Sequence, residues 1–297
     1  MKIVMAGSSG FLGSHLTSHL EGKGHNVVRL VRRDAASDSE LAWDPYQTGL
    51  DPKALDGVDA VVNLCGAGVP DKRWSPSYKQ LIRDSRTKPT HAVASAVAEA
   101  GVPLLINASA VGFYGDTGDR EVDESAPPAD DFLGVTCRLW EEAAAPAVAA
   151  GTRVAFLRTG HVMAPDSFML KRMLPVYKLG LGGKFGSGDQ YFPWVSLEDW
   201  LGGVEFILDG DLSGPVNLTG PTPATNADFT RALGRAVHRP APWRVPGFAL
   251  KLLAGEAAVE LLRGAKIRPA ALLDAGYVFA HLTVFAALEW AVAGDAG

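Results

Sequence analysis

The chain opens with "KIVMAGSSGFLGSHL", and the spacing of its glycines constrains the fold more than any other feature. Gly7, Gly10 and Gly13 lie between a short apolar run and a helical pattern. A strand–turn–helix junction of this kind needs one glycine for the tight turn. A second lets backbone approach a ligand, and a third lets helix and strand pack closely. The emerging helix offers N–H groups and a partial positive charge to phosphate oxygens. The junction therefore predicts a dinucleotide site, with a plain structural turn as the alternative.

The first half goes on alternating apolar runs with helical patterns. "NVVRLV", "DAVVNLCG", "PLLINAS" and "TRVAFLRTG" read as strands; "FLGSHLTSHLEGKG", the stretch from Ser77 to Ala100, and "DFLGVTCRLWEEAAA" read as helices. Strands that are apolar throughout, not in alternation, belong to a parallel sheet covered on both faces. The order predicts an α/β protein with a Rossmann-type doubly wound parallel sheet and helices on both faces. After about Gly160 the pattern changes to a glycine- and aromatic-rich segment, helices, one short strand "PVNLTG", and the small amphipathic helices "GFALKLLAGEAAVELLRG" and "RPAALLDAG". We expect a dinucleotide-binding domain over 1–160, its sheet completed by later segments. A smaller, mainly helical substrate-side lobe over 161–297 follows, with a helical module at about 240–297.

A formal net charge of -5 lacks the basic footprint of a nucleic-acid binder. Two cysteines, Cys65 and Cys137, do not make a disulfide framework and suit a reducing compartment. The first apolar run is too short for a signal peptide, and no run reaches transmembrane length. The expected location is cytoplasmic, away from membranes. "NAS" at Asn107 and "NLT" at Asn217 match the glycosylation pattern but carry no meaning without secretion.

The second strand ends in "RLVRRD". An acid here would hold the ribose 2′-hydroxyl of NAD, whereas an arginine suits the 2′-phosphate of NADP. Arg32 and Arg33 favour NADP because guanidinium pairs with phosphate through charge-assisted bonds. Asp34 keeps NAD as the alternative.

The glycine spacing, "NLCGAGV" after the third strand and "INASAVGFYGD" after the fourth resemble an extended short-chain dehydrogenase/reductase. "DKRWSPSYKQLIRDSR", "DDFLGVTCRLWE", "GLGGKFGSGDQYFPWVSLED", "GPVNLTGPTPATNADF" and "GEAAVELLRGAKIRPAALLDAGYVF" narrow this. They resemble the atypical epimerase-like family of that superfamily, which has a small C-terminal domain and members labelled sugar-nucleotide epimerase or cell-division inhibitor. The resemblance puts Gly7, Ser9, Gly10, Phe11, Leu12 and Gly13 on the phosphate loop and Arg32 at the adenosine phosphate. It puts Leu64 and Cys65 beside the cofactor ribose, Arg86 where the family brings a basic side chain to the cofactor, and Val162 near the nicotinamide. It implies an NADP-dependent oxidoreductase or epimerase with a small anionic substrate of nucleotide-sugar type, and leaves a homodimer open. A non-catalytic NADPH-binding sensor is the rival reading.

The superfamily moves its proton with a tyrosine, a lysine four residues later and an upstream serine or threonine. With Glu141 aligned to the glutamate that commonly follows, Leu133 stands at the tyrosine position and Cys137 at the lysine position. Ala110 falls at the serine position, with Ser109 beside it. Ser109 and Tyr114 remain as catalytic candidates. The blander readings are a hydroxyl bonded to nearby backbone and a buried ring with one hydrogen-bond partner. His15 and His19 have metal-ligand spacing without a third ligand, so no metal is expected. Lys184, Gln190 and Trp194 lie in a flap facing a ligand or in an ordinary connection. Arg73 and Trp74 suit an anion or a salt-bridged loop.

Overall fold

The computed structural model describes residues 1–248, 252, 256 and 262–294. Its elements run β1 (Lys2–Ala6), α1 (Phe11–Gly22), β2 (Asn26–Val31), β3 (Glu40–Ala42), β4 (Ala60–Asn63), α2 (Pro76–Ala100), β5 (Leu104–Ala110), β6 (Glu121–Val122), α3 (Phe132–Glu142), α4 (Ala145–Ala149) and β7 (Arg153–Thr159). Next come β8 (His161–Met163), α5 (Phe168–Lys178), β9 (Gly183–Phe185), β10 (Trp194–Ser196), α6 (Leu197–Asp209), β11 (Gly214–Leu218), α7 (Asn226–Ala236), β12 (Trp243–Val245) and β13 (Lys266–Ile267). Helices Ala270–Asp274 and Val284–Ala293 follow. The helix expected over "GFALKLLAGEAAVELLRG" lies largely outside the described residues.

Seven strands form one parallel sheet in the order β11-β7-β5-β4-β1-β2-β3, with helices around it, a Rossmann-like architecture. The chain builds outward from β1 to β2 and β3, then returns to lay β4 and β5 on the other side. The order thus reverses between β1 and β4, and an open α/β sheet binds its ligand outside the strand ends at such a point. Apolar continuity in sequence becomes burial on both faces: Ile3, Val4, Met5 and Ala6 are all fully buried, as are Val61 and Val62. One face packs Val4, Val28, Val61 and Leu105 against Val93 and Val97 of α2.

Local chemistry explains the limits of α2. Ser75 accepts the Tyr78 N–H, Pro76 opens the first turn, and Gly101 closes the helix at φ 67°. The short strand β3 escaped the sequence reading because three residues show no periodicity. The chain also holds short strands beyond those expected: β8 pairs with β10, β9 with β12, and β6, in the first half, with β13, all in parallel. These pairs are two or three residues long and are specified by distant partners.

By compactness the chain divides into two units. One comprises Met1–Ala110, Val135–Arg158 and Val204–Val216; the other comprises Val111–Gly134, Thr159–Gly203 and Asn217–Gly297. The second has its own core of Leu170, Leu174, Trp194, Phe229, Leu233 and Leu288. Within it Asp199 accepts the N–H groups of Ala280 at 2.7 Å and His281 at 3.0 Å, tying the later loop to the first turn of α6. No helix among the described residues is long and apolar enough to cross a membrane.

Candidate functional site

In the first unit, Gly7 leaves β1 at φ +80°. A Cβ on it would lie 2.8 Å from the Leu64 carbonyl carbon, so only glycine lets this turn approach the loop after β4. A Cβ on Gly13 would strike the Gly7 carbonyl oxygen and come within 2.8 Å of the Ser8 Cα. The third glycine therefore seats α1 against its own loop. Gly10 donates to the Gly7 carbonyl at 3.1 Å and caps α1 without a side-chain hydrogen bond, and the first turn holds no acid. Among the described residues, no side chain caps the first N–H groups of α1. Ser9 and Gly10 are exposed, Phe11 and Leu12 half-buried. This cradle fits a diphosphate.

The loop after β4 is fixed from beneath. Leu64 donates to the Ala6 carbonyl, Cys65 to the Asn63 side chain at 3.2 Å, and Ala67 to Ser85 Oγ at 2.9 Å. Asn63 and Asn107, paired in register on β4 and β5, are fully buried and share Thr90. The sequence reading missed this network. It also removes Asn107 from any modifying enzyme, as full burial does Asn217.

Arg86 donates Nη1 to the carbonyls of Ala67 and Ile82, both at 3.0 Å, and lies 4.9 Å over the Trp140 ring. Burial lowers its pKa. Arg32 is exposed, and no hydrogen bond or ion pair holds it among the described residues. Its charge reaches the Cys65 thiol, whose pKa burial nevertheless raises to about 12. Arg33 is bound to Glu40 through two bonds of 2.8 Å.

Ser109 is buried, and its hydroxyl donates to Glu141 Oε1 at 2.7 Å. The same carboxylate takes Arg158 Nε and Nη2, each at 2.9 Å. On the same helix Cys137 is buried, and burial raises its thiol pKa to about 12, so it is no nucleophile at neutral pH.

In the second unit, Tyr114 is 4% exposed and donates its hydroxyl to Asn217 Oδ1 at 2.7 Å, its ring edge-on to Phe113. Trp194 is 1% exposed and donates Nε1 to the Thr222 carbonyl, so it packs in the core. Gln190 donates to the Phe185 carbonyl at 3.1 Å. The segment read as either a flap or an ordinary connection thus contains strand β9 and packed side chains.

Val162 lies on β8, half-buried. Its neighbour His161 was not singled out in the sequence. The residue is exposed, its imidazole stacks on Phe192 at 4.4 Å, and desolvation by that packing lowers its pKa. It is neutral at physiological pH. The only sequence signal for it was adjacency to Val162. His19 pairs with Glu205 at 2.8 Å, and His15 meets Phe11 edge-on, so this pair has partners other than a metal.

The description "NAD dependent epimerase/dehydratase family" matches residues 3–218. The chain belongs to that family. Residues 245–291 match a second description, a domain of unknown function (DUF1731). The chain is 50% identical to Epimerase family protein Mb2239 of Mycobacterium bovis over 97% of each chain. Among solved structures it is similar to the crystal structure of human epimerase family protein SDR39U1 (isoform2) with NADPH. That match has TM-score 0.90 and 30% identity over 99% of both chains. A nucleoside-diphosphate sugar epimerase from Corynebacterium glutamicum aligns with TM-score 0.78 and 36% identity, over 98% of this chain and 58% of that one.

Proposed function

We propose that this NAD(P)-binding family member takes NADPH in preference to NADH and acts on a small anionic substrate of nucleotide-sugar type, as an oxidoreductase or epimerase. The observation that carries the reading is the glycine cradle, with the unengaged Arg32 at the end of the neighbouring strand. The first-turn N–H groups of Phe11, Leu12 and Gly13 hold the diphosphate, beside Ser9. Arg32 takes the 2′-phosphate as a charge-assisted partner. Leu64 and Cys65 line the ribose, Arg86 braces the loop that carries them, and Val162 borders the nicotinamide. When bound, the nicotinamide supplies a hydride acceptor or donor. NADPH in the human relative and the sugar-epimerase name of the bacterial one support the choice of cofactor and substrate class.

Proton transfer is the open half of the chemistry. The hydroxyls of Ser109 and Tyr114 are engaged by Glu141 and Asn217. His161 offers a neutral imidazole beside Val162 and is our candidate to exchange a hydrogen bond with a substrate hydroxyl. The same engaged hydroxyls favour a second reading, a cofactor-binding protein without turnover that a partner senses.

Calorimetry tests the cofactor assignment. NADPH should bind more tightly than NADH, and Arg32→Ala should weaken NADPH alone by about ten- to a hundredfold, the loss of one bond to a charged group. Equal losses for both nucleotides, or no binding of either, overturn it. A screen of NADPH oxidation and epimerisation against sugar nucleotides then separates the enzyme from the sensor.

A further inference from the structure

Two adjacent arginines leave β2 and meet different fates. No hydrogen bond or ion pair holds Arg32 among the described residues, whereas Arg33 is fully committed. Its guanidinium makes a fork with Glu40, Nη1 to Oε2 and Nη2 to Oε1, both at 2.8 Å. Nη1 also donates to the carbonyl of Asp34 at 2.8 Å. Glu40 stands at the first position of β3 with its side chain only 6% exposed, and it does more than neutralise Arg33. Its Oε2 accepts the Ala36 N–H at 2.9 Å, and its Oε1 lies 3.6 Å from Arg29 Nη2. Its own N–H donates to the Ser37 carbonyl at 3.0 Å. One carboxylate therefore ties the start, the middle and the end of the β2–β3 connection.

We propose that Glu40, acting through Arg33, is a positioning residue for coenzyme selectivity: it clamps the loop after β2 so that Arg32 alone is presented to the 2′-phosphate. The proposal rests on the cofactor reading above. A bidentate fork fixes orientation as well as charge, which a lysine cannot reproduce. The bonds from Arg33 and Ala36 hold the Glu40 carboxyl down to about 2, so the clamp stays ionised through the physiological range. The clamp also limits the charge around the 2′-phosphate. Arg33 and Glu40 cancel, leaving Arg32 as the net cation of the pair of arginines, and the flexible alternative of two competing guanidiniums is removed.

The sign of the effect separates this role from simple electrostatics. Removing a negative charge near a phosphate site should tighten NADPH if Glu40 acts only through its field. As a positioning residue its loss should weaken NADPH instead. Calorimetry of the full chain with NADPH and NADH, on Glu40→Gln and separately on Arg33→Lys, decides between them. Each variant should lower the NADPH-to-NADH affinity ratio by about five- to tenfold, less than the loss of the Arg32 bond itself because the guanidinium is kept and only its placement suffers, with NADH moving less than about twofold. Glu40→Gln combined with Arg32→Ala should lose little beyond Arg32→Ala alone, because the clamp works through Arg32. A ratio that is unchanged or raised in both single variants overturns the proposal. Should Glu40→Gln fail to fold, Arg33→Lys, which keeps the charge and loses the fork, is the variant that decides. If Arg32→Ala itself leaves NADPH binding intact, the cofactor reading has failed; if Arg32→Ala acts and the clamp variants do not, only the clamp has failed.

Discussion

Replacing Glu141 by glutamine keeps the size and shape of the side chain and removes its charge. The structure makes this change expensive. Arg158, with its side chain 4% exposed, directs Nε and Nη2 at the carboxylate, which is itself 13% exposed and also takes the Ser109 hydroxyl. A glutamine oxygen can accept one or two of these donors, but its NH2 group then faces a guanidinium that has only donors. Breaking a buried pair from one side costs about 3–5 kcal/mol, since a desolvated charge is left behind. We expect Glu141→Gln to cost about 3 kcal/mol, read as a fall of about 1–1.5 M in the urea midpoint for a slope of about 2–3 kcal/mol/M. Ser109→Ala removes one donor and leaves the ion pair whole, so it should cost about 1–1.5 kcal/mol. Glu141→Leu with Arg158→Met should recover most of the loss, because a well-packed apolar pair avoids the desolvation cost. The reasoning is refuted if Glu141→Gln costs under about 1 kcal/mol, or if the double variant loses what two independent single losses predict.

Gly13→Ala forces a Cβ against the Gly7 carbonyl and within 2.8 Å of Ser8 Cα, both backbone, so the cradle must deform. The melting temperature should fall by about 5–10 °C from overpacking of a few kcal/mol, and NADPH affinity should drop more than about tenfold; Gly22→Ala, with nothing within 4 Å, is the matched control and should do neither. Burial raises the thiols of Cys65 and Cys137 to about 12 from an ordinary 9. The unfolded chain therefore ionises first, so their contribution to stability is intact below pH 9 and is lost as pH rises toward 12. Alkylation at pH 8 should be slow in the native protein and rapid in urea; equal rates in both states defeat the assignment.

The sheet was legible in the sequence because its strands are long enough to declare themselves. Five apolar runs and the intervening helical periods correspond to β1, β2, β4, β5 and β7. The strand "PVNLTG" was legible as β11, though not its place at the sheet edge next to β7. The glycine loop was legible for a different reason. Part of its constraint is local, the positive φ of Gly7 and the approach of Gly13 to the Gly7 carbonyl within seven residues of chain, even though the contact of Gly7 with Leu64 is distant. What could not be read is what distant residues decide. Ser109 and Tyr114 look like available hydroxyls until Glu141 and Asn217 arrive from 32 and 103 positions away. Trp194 looks like a ligand-facing aromatic until the carbonyl of Thr222 takes its indole N–H.

The same contrast separates the two arginines of "RLVRRD". Their side chains are chemically identical and adjacent, and no local rule ranks them. Glu40 ranks them, because a carboxylate buried at the start of β3 must find a cation: strand pairing sets Arg29 opposite it, 3.6 Å away, and Arg33, in the loop after β2, makes the two bonds of 2.8 Å. Arg32 is left exposed because its neighbour has satisfied that demand. On the clamp proposal, coenzyme binding would thus depend on a structural ion pair as much as on the residue that would touch the ligand. In the second unit, a neutral His161 stacked on Phe192, its pKa lowered by desolvation, would gain a proton more readily beside the negative charge of a ligand. An anionic substrate and a protonated imidazole would therefore stabilise each other, and binding of such a substrate should be accompanied by proton uptake between pH 5 and pH 7, on the order of a fraction of a proton per site. Uptake that persists in His161→Gln would assign the proton to another group.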